Sequence, residues 1–337
     1  MILVTGGTGL VGSHLLVRLA QENEPIRAIY RTLESIEKTK KVFSYYTNTA
    51  KDLFANIEWV QADITDVPSM IPAFKDVKKV YHCAAVISFD PADYRTMRKV
   101  NIHGTAIIAN LAIDAKVEKL CFVSSIATIG DDPKKEFANE ENDWGGNQKN
   151  NGYAITKYGA ETEVWRASQE GVDVVIVNPG VILGSGFWDS GSGKMFSQIH
   201  KGFQFYSEGV TGFVGVKDVI NAMVQLMESN CKNERFILVS ENKSFKEVLF
   251  SIAEAFGKKK PMRCVQPWQA SLLWRWEWFV SKITSRKIRM SKYTAKTLFR
   301  KTYYSSEKCK KQLKVTFENI DAVIHQVKND FLEPISY

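Results

Sequence analysis

Ile2-Leu3-Val4-Thr5-Gly6-Gly7-Thr8-Gly9-Leu10-Val11-Gly12 opens the chain and decides its fold. Ile2 to Thr5 reads as a short, fully buried parallel strand. Gly7, Gly9 and Gly12 satisfy G-x-G-x-x-G, and Thr5 with Gly6, Gly9 and Gly12 satisfies T-G-x-x-G-x-x-G. From His14 to Gln21 the pattern is helical, with Leu15, Leu16 and Leu19 on one face. A glycine turn between strand and helix lets a pyrophosphate approach bare backbone, with N–H groups and the positive helix end aimed at it. A plain strand-to-helix turn needs fewer glycines, so Thr5 to Gly12 is read as a dinucleotide site.

The rest of the chain is compatible with that start. Its 337 residues, 45% hydrophobic, can bury a large core. The expected fold is α/β: a Rossmann-type, doubly wound parallel sheet with a smaller C-terminal substrate lobe. The nucleotide-binding domain is expected over 1–183, partly rejoined by 203–240, with the lobe made mainly by 184–337. Met1 sits directly on the first strand, so a cytoplasmic protein without a leader is expected. No uncharged apolar run reaches ~18 residues, so no spanning helix is expected. The five cysteines are scattered without a C-x-x-C pair, and the five histidines lack ligand spacing. Buried thiols and no metal site follow.

The second strand bears on the nucleotide. Pro25 to Tyr30 reads as that strand and Arg31 closes it, where an NAD site places an acid for the ribose 2′-hydroxyl. A guanidinium matches a 2′-phosphate instead, and Lys38 follows, so NADP(H) is favoured over NAD(H). Glu34 keeps NAD(H) open. The third strand, Ile57 to Ile64, runs through Asp63, which either accepts from an adenine amino group, with Ile64 against the ring, or caps the turn into a helix over Val67–Phe74. The fourth, Lys79 to Ala85, ends in Ala84 and Ala85, small enough for a cofactor to pass close. Asp90 to Ala115 reads as one long helix in which Asn101, Gly104 and Thr105 cost propensity and need a reason.

Leu120 to Val123 is a continuous apolar strand ending at Ser124-Ser125, the carboxyl edge where ligands bind in open α/β sheets. Tyr153 and Lys157 then stand four apart on one face of a helix running to about Gln169. An ammonium beside a phenol favours the phenolate, which makes the pair a general acid/base for alcohol–ketone interconversion. A serine hydroxyl opposite would hold the substrate oxygen. Spacing alone is weak: Tyr304 and Lys308 repeat it with no strand or serine before them. The ordered set carries the weight.

That set resembles the extended short-chain dehydrogenase/reductase superfamily, well from Met1 to Ala222 and loosely beyond. The resemblance makes Asp63 the adenine-contacting acid and Asn101 a structural, proton-relay asparagine. It makes Ser125, Tyr153 and Lys157 catalytic, and sets Pro179, Gly180 and Val181 against the nicotinamide. Asn178 stands where Arg is more usual, with altered substrate contacts implied. Arg31 and Lys38 are more similar to dihydroflavonol reductase-like, NADPH-dependent carbonyl reductases than to epimerases and dehydratases, which more often carry an acid there. The expected activity is hydride transfer between NADP(H) and a small carbonyl or alcohol, with Tyr153 moving the proton. Retained-NAD(H) epimerase or dehydratase chemistry is the second reading, and a non-catalytic NADP(H)-binding scaffold the third. Many extended members are dimers, so a homodimer is a further expectation.

The C-terminal part says less. Ser185 to Lys194 is glycine-rich and reads equally as a substrate-closing loop, with Phe187 and Trp188 as its wall, or an ordinary surface loop. Ser244 caps a helix to Phe256, with Glu247 in capping-box position. Trp268, Trp274, Trp276, Trp278 and Phe279 crowd one segment, and Arg286, Lys287, Arg289, Lys292, Lys296, Arg300 and Lys301 follow. The favoured reading packs this aromatic helix on the domain and solvates its charges; contact with a membrane surface is the less favoured one. Nucleic-acid binding is set aside, because no recognition motif accompanies the sequence pI of about 9.0.

Overall fold

A parallel strand covered on both faces has no polar side, and the apolar runs of this chain become such strands. The computed structural model describes residues 1–22, 24–130, 136–144, 152–284, 288 and 291–333. Arg286, Lys287 and Arg289 lie outside them. The strands are β1 (Ile2–Thr5), β2 (Ile26–Tyr30), β3 (Ile57–Gln61), β4 (Lys79–His82), β5 (Lys119–Val123), β6 (Asp173–Pro179), β7 (Val181–Leu183), β8 (Phe205–Tyr206), β9 (Val210–Gly215), β10 (Glu234–Leu238), β11 (Glu241–Ser244) and β12 (Arg263–Cys264). Seven form one sheet in the order β10-β6-β5-β4-β1-β2-β3, all parallel.

Helices cover both faces. On one, Leu15, Leu16 and Leu19 of the helix Leu10–Ala20 share a core with Val219, Met223 and Leu226 of Val216–Glu228. On the other, Ile108 and Ala112 of Gly104–Asp114 meet Ala160, Val164 and Ala167 of Gly152–Gln169. Strand order reverses at β1 and β4, the switch point where open α/β sheets bind ligands. The register aligns the carboxyl ends: Thr5 pairs with His82, His82 with Phe122, and Val123 with Val177. Beyond β6, β7, β9 and β11 make a small sheet whose core includes Phe196, Ile252 and Ile324. The capping box of Ser244 and Glu247 is formed, on the helix Phe245–Ala255.

Two predicted helices are broken. The Val67–Phe74 pattern divides into an α-turn, Val67–Met70, and a 3₁₀ turn, Pro72–Phe74, because Pro72 has no N–H to continue the ladder. Asp90–Ala115 divides into Pro91–Asp93, Tyr94–Met97, a π segment at Arg98–His103 and the α-helix Gly104–Asp114. The wide turn is centred on Asn101, and π turns concentrate at functional sites.

Candidate functional site

The glycines of the opening turn do different work. Gly6 adopts φ +68°, and a Cβ there would meet Ala84 N at 2.6 Å. A Cβ on Gly12 would lie 2.2 Å from Gly6 O, and one on Gly7 2.9 Å from Leu16. Gly6 and Gly12 are required by the backbone they face, whereas a Cβ on Gly7 asks only the end of the Leu16 side chain to shift. At Gly9 a Cβ would meet nothing closer than Gly6 O at 3.4 Å. Gly9 N-caps the first helix without a side-chain cap, so the first-turn N–H groups stay available. An uncapped positive helix end with open space at Gly9 fits a dinucleotide pyrophosphate. Thr8 lies in the turn, and Leu10 and Val11 start the helix, both half-buried. Thr39, which the sequence did not flag, anchors the turn by donating to Gly7 O at 3.1 Å.

Across the switch point a chain of buried bonds fixes the strand ends. Thr5 Oγ1 lies 2.6 Å from His82 Nδ1, and His82 Nε2 lies 2.9 Å from Thr105 Oγ1, which donates to Asn101 O. Burial holds His82 neutral, its pKa lowered to about 3. Ala84 N donates to Thr5 Oγ1 at 3.3 Å, and Ala85 is exposed at the same edge. Asn101 is almost fully buried. Its Oδ1 accepts from Val86 N at 2.8 Å, and its Nδ2 donates to Val86 O and Thr156 Oγ1. With both ends of its amide engaged, Asn101 ties the loop after β4 to the tyrosine helix.

Ser125, Tyr153 and Lys157 meet at the carboxyl end of β5. Ser125 caps a 3₁₀ turn, its Oγ accepting from Ala127 N at 3.1 Å. Tyr153 is half-buried, edge-on to Phe89 with ring centroids 5.9 Å apart. Burial raises the Tyr153 hydroxyl above the usual phenol value and a hydrogen bond with Ser125 partly offsets this. The sequence reading had Lys157 lower that hydroxyl; instead, its ammonium is tied to Val123 O at 2.7 Å and sits 4.3 Å above the Phe122 ring. Burial lowers Lys157 to about 8, against the opposing pull of Glu161 and Cys83. Burial also pushes the Cys83 thiol up to about 12, which leaves it a poor nucleophile at neutral pH.

Behind Ser125 lies a carboxylate the sequence reading missed. Glu161 is 1% exposed. It accepts from Ser124 Oγ at 2.6 Å, Thr128 Oγ1 at 2.8 Å and Asn178 Nδ2 at 3.1 Å, and Arg235 stands 3.4 Å away. Asn178 also donates to Ser125 O and Thr128 Oγ1, so its amide faces this buried network and not the substrate contact expected of it. The one sign of Glu161 in the sequence is its place four residues after Lys157 on the same helical face.

The edge around Arg31 and Asp63 is less enclosed. Arg31 and Lys38 are exposed, and Arg31 lies near enough to Asp63 to lower its carboxyl. Burial alone would raise Asp63, but two bonds from Thr65, each 2.8 Å, and the Arg31 and Lys99 charges outweigh it. The N-cap of Val67–Met70 itself is Asp66, accepting from Ser69 N, while Asp63 caps the turn that leads into it by accepting from Thr65. Ile64 is buried against Gly104, where a Cβ would come within 2.7 Å of its Cδ1. Pro179 is buried at the end of β6, Gly180 N donates to Leu238 O, and Val181 begins β7. The Ser185–Lys194 loop is held inward: Ser185 O bonds His14 and its Oγ donates to Asp330, while Trp188 packs on Phe331. Trp188 is thereby committed to the core.

Among the described residues no group of three His, Cys, Asp or Glu is placed to hold a metal, and no helix is long and apolar enough to cross a membrane. A model of the NAD dependent epimerase/dehydratase family matches residues 2–238. The chain is 27% identical to sterol demethylase protein B of Methylococcus capsulatus, over 79% of this chain and 77% of that protein. It is 26% identical to a putative dihydroflavonol 4-reductase of Synechocystis, over 79% and 75%. UDP-glucose 4-epimerase of Thermotoga maritima shares the fold, with a TM-score of 0.75, 20% identity and 98% of each chain covered. With the glycine turn, the all-parallel sheet and these matches together, the chain belongs to the NAD dependent epimerase/dehydratase family, the extended branch of the short-chain dehydrogenases/reductases, and is an NAD(P)-dependent enzyme.

Proposed function

We propose that the chain is an NADP(H)-dependent oxidoreductase interconverting a ketone or aldehyde with an alcohol. The observation that carries this is the Tyr153 hydroxyl, hydrogen-bonded to Ser125 just past the carboxyl end of β5 and raised above the usual phenol value by burial. A protonated phenol is the form that gives a proton to a carbonyl oxygen. In this reading Ser125 orients the carbonyl and Tyr153 donates the proton. Lys157 keeps a positive charge at the site and would hold the nicotinamide ribose, while Asn101 fixes the helix that carries Tyr153. Thr5 to Gly12 would hold the pyrophosphate, Arg31 and Lys38 a 2′-phosphate, and Asp63 the adenine side. The bound nicotinamide supplies the hydride. The region from 184 onward would form the substrate lobe.

Exposed Phe89 stands edge-on to Tyr153, which suits an apolar substrate better than a nucleotide sugar. The names of the sterol and dihydroflavonol relatives point the same way. The first experiment is titration of cofactor-stripped protein with NADPH and NADH, wild type against Arg31→Ala. We expect NADPH to bind more tightly and the variant to lose about 10–100-fold of that affinity. Tight NADH binding indifferent to Arg31 would move the assignment to retained-NAD(H) epimerase or dehydratase chemistry. For turnover, Tyr153→Phe should cost about 10²–10⁴-fold with NADPH affinity kept, and retained turnover would overturn the role of Tyr153.

A further inference from the structure

The helix Pro267–Thr284 presents an apolar face to solvent. Ala270 is buried and Trp274 and Glu277 are half-buried, which marks the side turned to the protein. Residues 268, 272, 276 and 279 fall on the opposite side by helical spacing. All four are apolar and open: Trp268 is 63% exposed, Leu272 60%, Trp276 64% and Phe279 53%. A contiguous stripe of this kind on a folded protein marks a surface that meets something. The sequence favoured packing of this segment on the domain. The short helix Lys292–Thr297 packs beside that segment, with Lys292 5.7 Å from the ring of the half-buried Trp274.

Charge identifies the occupant. Between residues 258 and 301 there are thirteen Lys and Arg and one acid, Glu277, in a chain of net charge +8, so the remainder is net acidic. Lys258, Lys259, Arg263, Lys292 and Lys296 are exposed. Exposed Phe205 and Met262 lie on and beside the two-stranded β8–β12 ribbon that precedes the helix, with Arg263 5.7 Å from the Phe205 ring. Tryptophan and phenylalanine on one face with basic flanks suit the headgroup region of an anionic bilayer. A second copy is a poor partner, because pairing two such segments brings like charges together.

We propose that the Trp268–Leu272–Trp276–Phe279 face docks flat on an anionic lipid surface, steered by the surrounding basic residues. The helix lies on the membrane and does not span it. Ile288, four residues beyond the helix in sequence, donates its N–H to Asp90 Oδ2 at 3.2 Å, next to Phe89, which is edge-on to Tyr153.

The test is co-sedimentation of the full chain with phosphatidylcholine vesicles, with and without about 30% phosphatidylserine, at low and high salt. Binding should require phosphatidylserine, fall at high salt, and drop about tenfold or more in the Trp268→Ser/Trp276→Ser/Phe279→Ser variant. A Lys258→Glu/Lys259→Glu variant, which leaves the apolar face intact, should also bind more weakly. Unchanged thermal unfolding would show that both variants are folded. Wild type left in the supernatant with phosphatidylserine vesicles would overturn the proposal, as would a triple variant that binds equally well. Concentration-dependent dimerisation abolished by the triple variant, without vesicle binding, would overturn it in favour of a second copy.

Discussion

The glycine turn and the tryptophan helix are built by opposite rules. Around the turn, Gly6, Gly7 and Gly12 each face atoms within 3 Å of where a Cβ would sit, and His82 and Thr5 have buried partners. Residue type is dictated there from every side. Along Pro267–Thr284, the outer stripe has only solvent to satisfy, yet it is apolar. The difference teaches that constraint in the first region comes from within the fold, whereas the second answers to a surface the fold does not supply. Substitutions should therefore separate the two regions by which property they damage.

The largest effect is expected at Gly12. Its added Cβ would lie 2.2 Å from a backbone oxygen, which no rotamer change relieves, so Gly12→Ala should yield little folded protein. Gly9→Ala is the sharpening partner. Its Cβ meets Gly6 O only at 3.4 Å, so the variant should fold and melt near wild type while binding NADPH more weakly. Circular dichroism melts and cofactor titration read the two outcomes, and equal damage in both variants would remove the distinction between packing and ligand glycines.

Next comes Glu161. Replacing it by Ala takes the close acceptor from Ser124 Oγ, removes one partner each from Thr128 and Asn178, and leaves the largely buried Arg235 without its carboxylate, at a cost of about 3 kcal/mol in denaturant unfolding. Glu161→Gln should recover part of that loss, because an amide oxygen still accepts. A variant as stable as wild type would mean that the network is solvated and that Ser125 is positioned without it.

Acid should act on the first region through its histidines. His14 bridges Tyr46 and the Ser185 carbonyl, and burial lowers it from 6.5 to about 4, with the Ser185 bond opposing. Its folded pKa lies below the unfolded one, so the unfolded chain binds the extra proton. The stability of the neutral form is complete above about 6.5 and is lost progressively as pH falls toward 4. His82, lowered to about 3, adds to the same window. The melting temperature should drop by about 4 °C or more between pH 7 and 5, and His14→Gln should flatten that slope.

Much of this was legible in the sequence because it rests on backbone demands. A strand, a glycine turn and a helix leave few alternatives, and the predicted strands differ from the observed ones only at their ends. The helix through Asn101 was read as uniform because periodicity reports that a face exists, not that a turn has widened around a buried amide. Spacing alone also pairs Tyr304 with Lys308, yet Lys308 bonds Arg235 O and Glu234, away from the site. Glu161 was overlooked because its partners come from the turn after β5, from β6 and from β10, which only the sheet brings together. The exposure of the outer side of the tryptophan helix was not legible for the same reason. Its pattern shows an apolar stripe, but which side turns inward depends on what the rest of the chain has left uncovered.

That last point yields the smallest effect. In the absence of lipid, Trp276→Ser should change unfolding stability by no more than about 0.5 kcal/mol, because an exposed side chain away from cores and caps contributes little to the folded state. Trp274, half-buried against Arg275 and Lys292, is the control within the same turn of helix. Trp274→Ser removes packing on Lys292–Thr297 and should cost about 1 kcal/mol or more. Chemical denaturation of the two variants reads the contrast directly. If Trp276 proved as costly as Trp274, the outer stripe would be packed in solution, by a second copy or by the chain itself, and the division between an inward-built nucleotide region and an outward-facing helix would fail. If the two separate as expected, the conservation of fold stability in Trp276→Ser isolates the outer face as a surface whose apolar character serves contact and not folding.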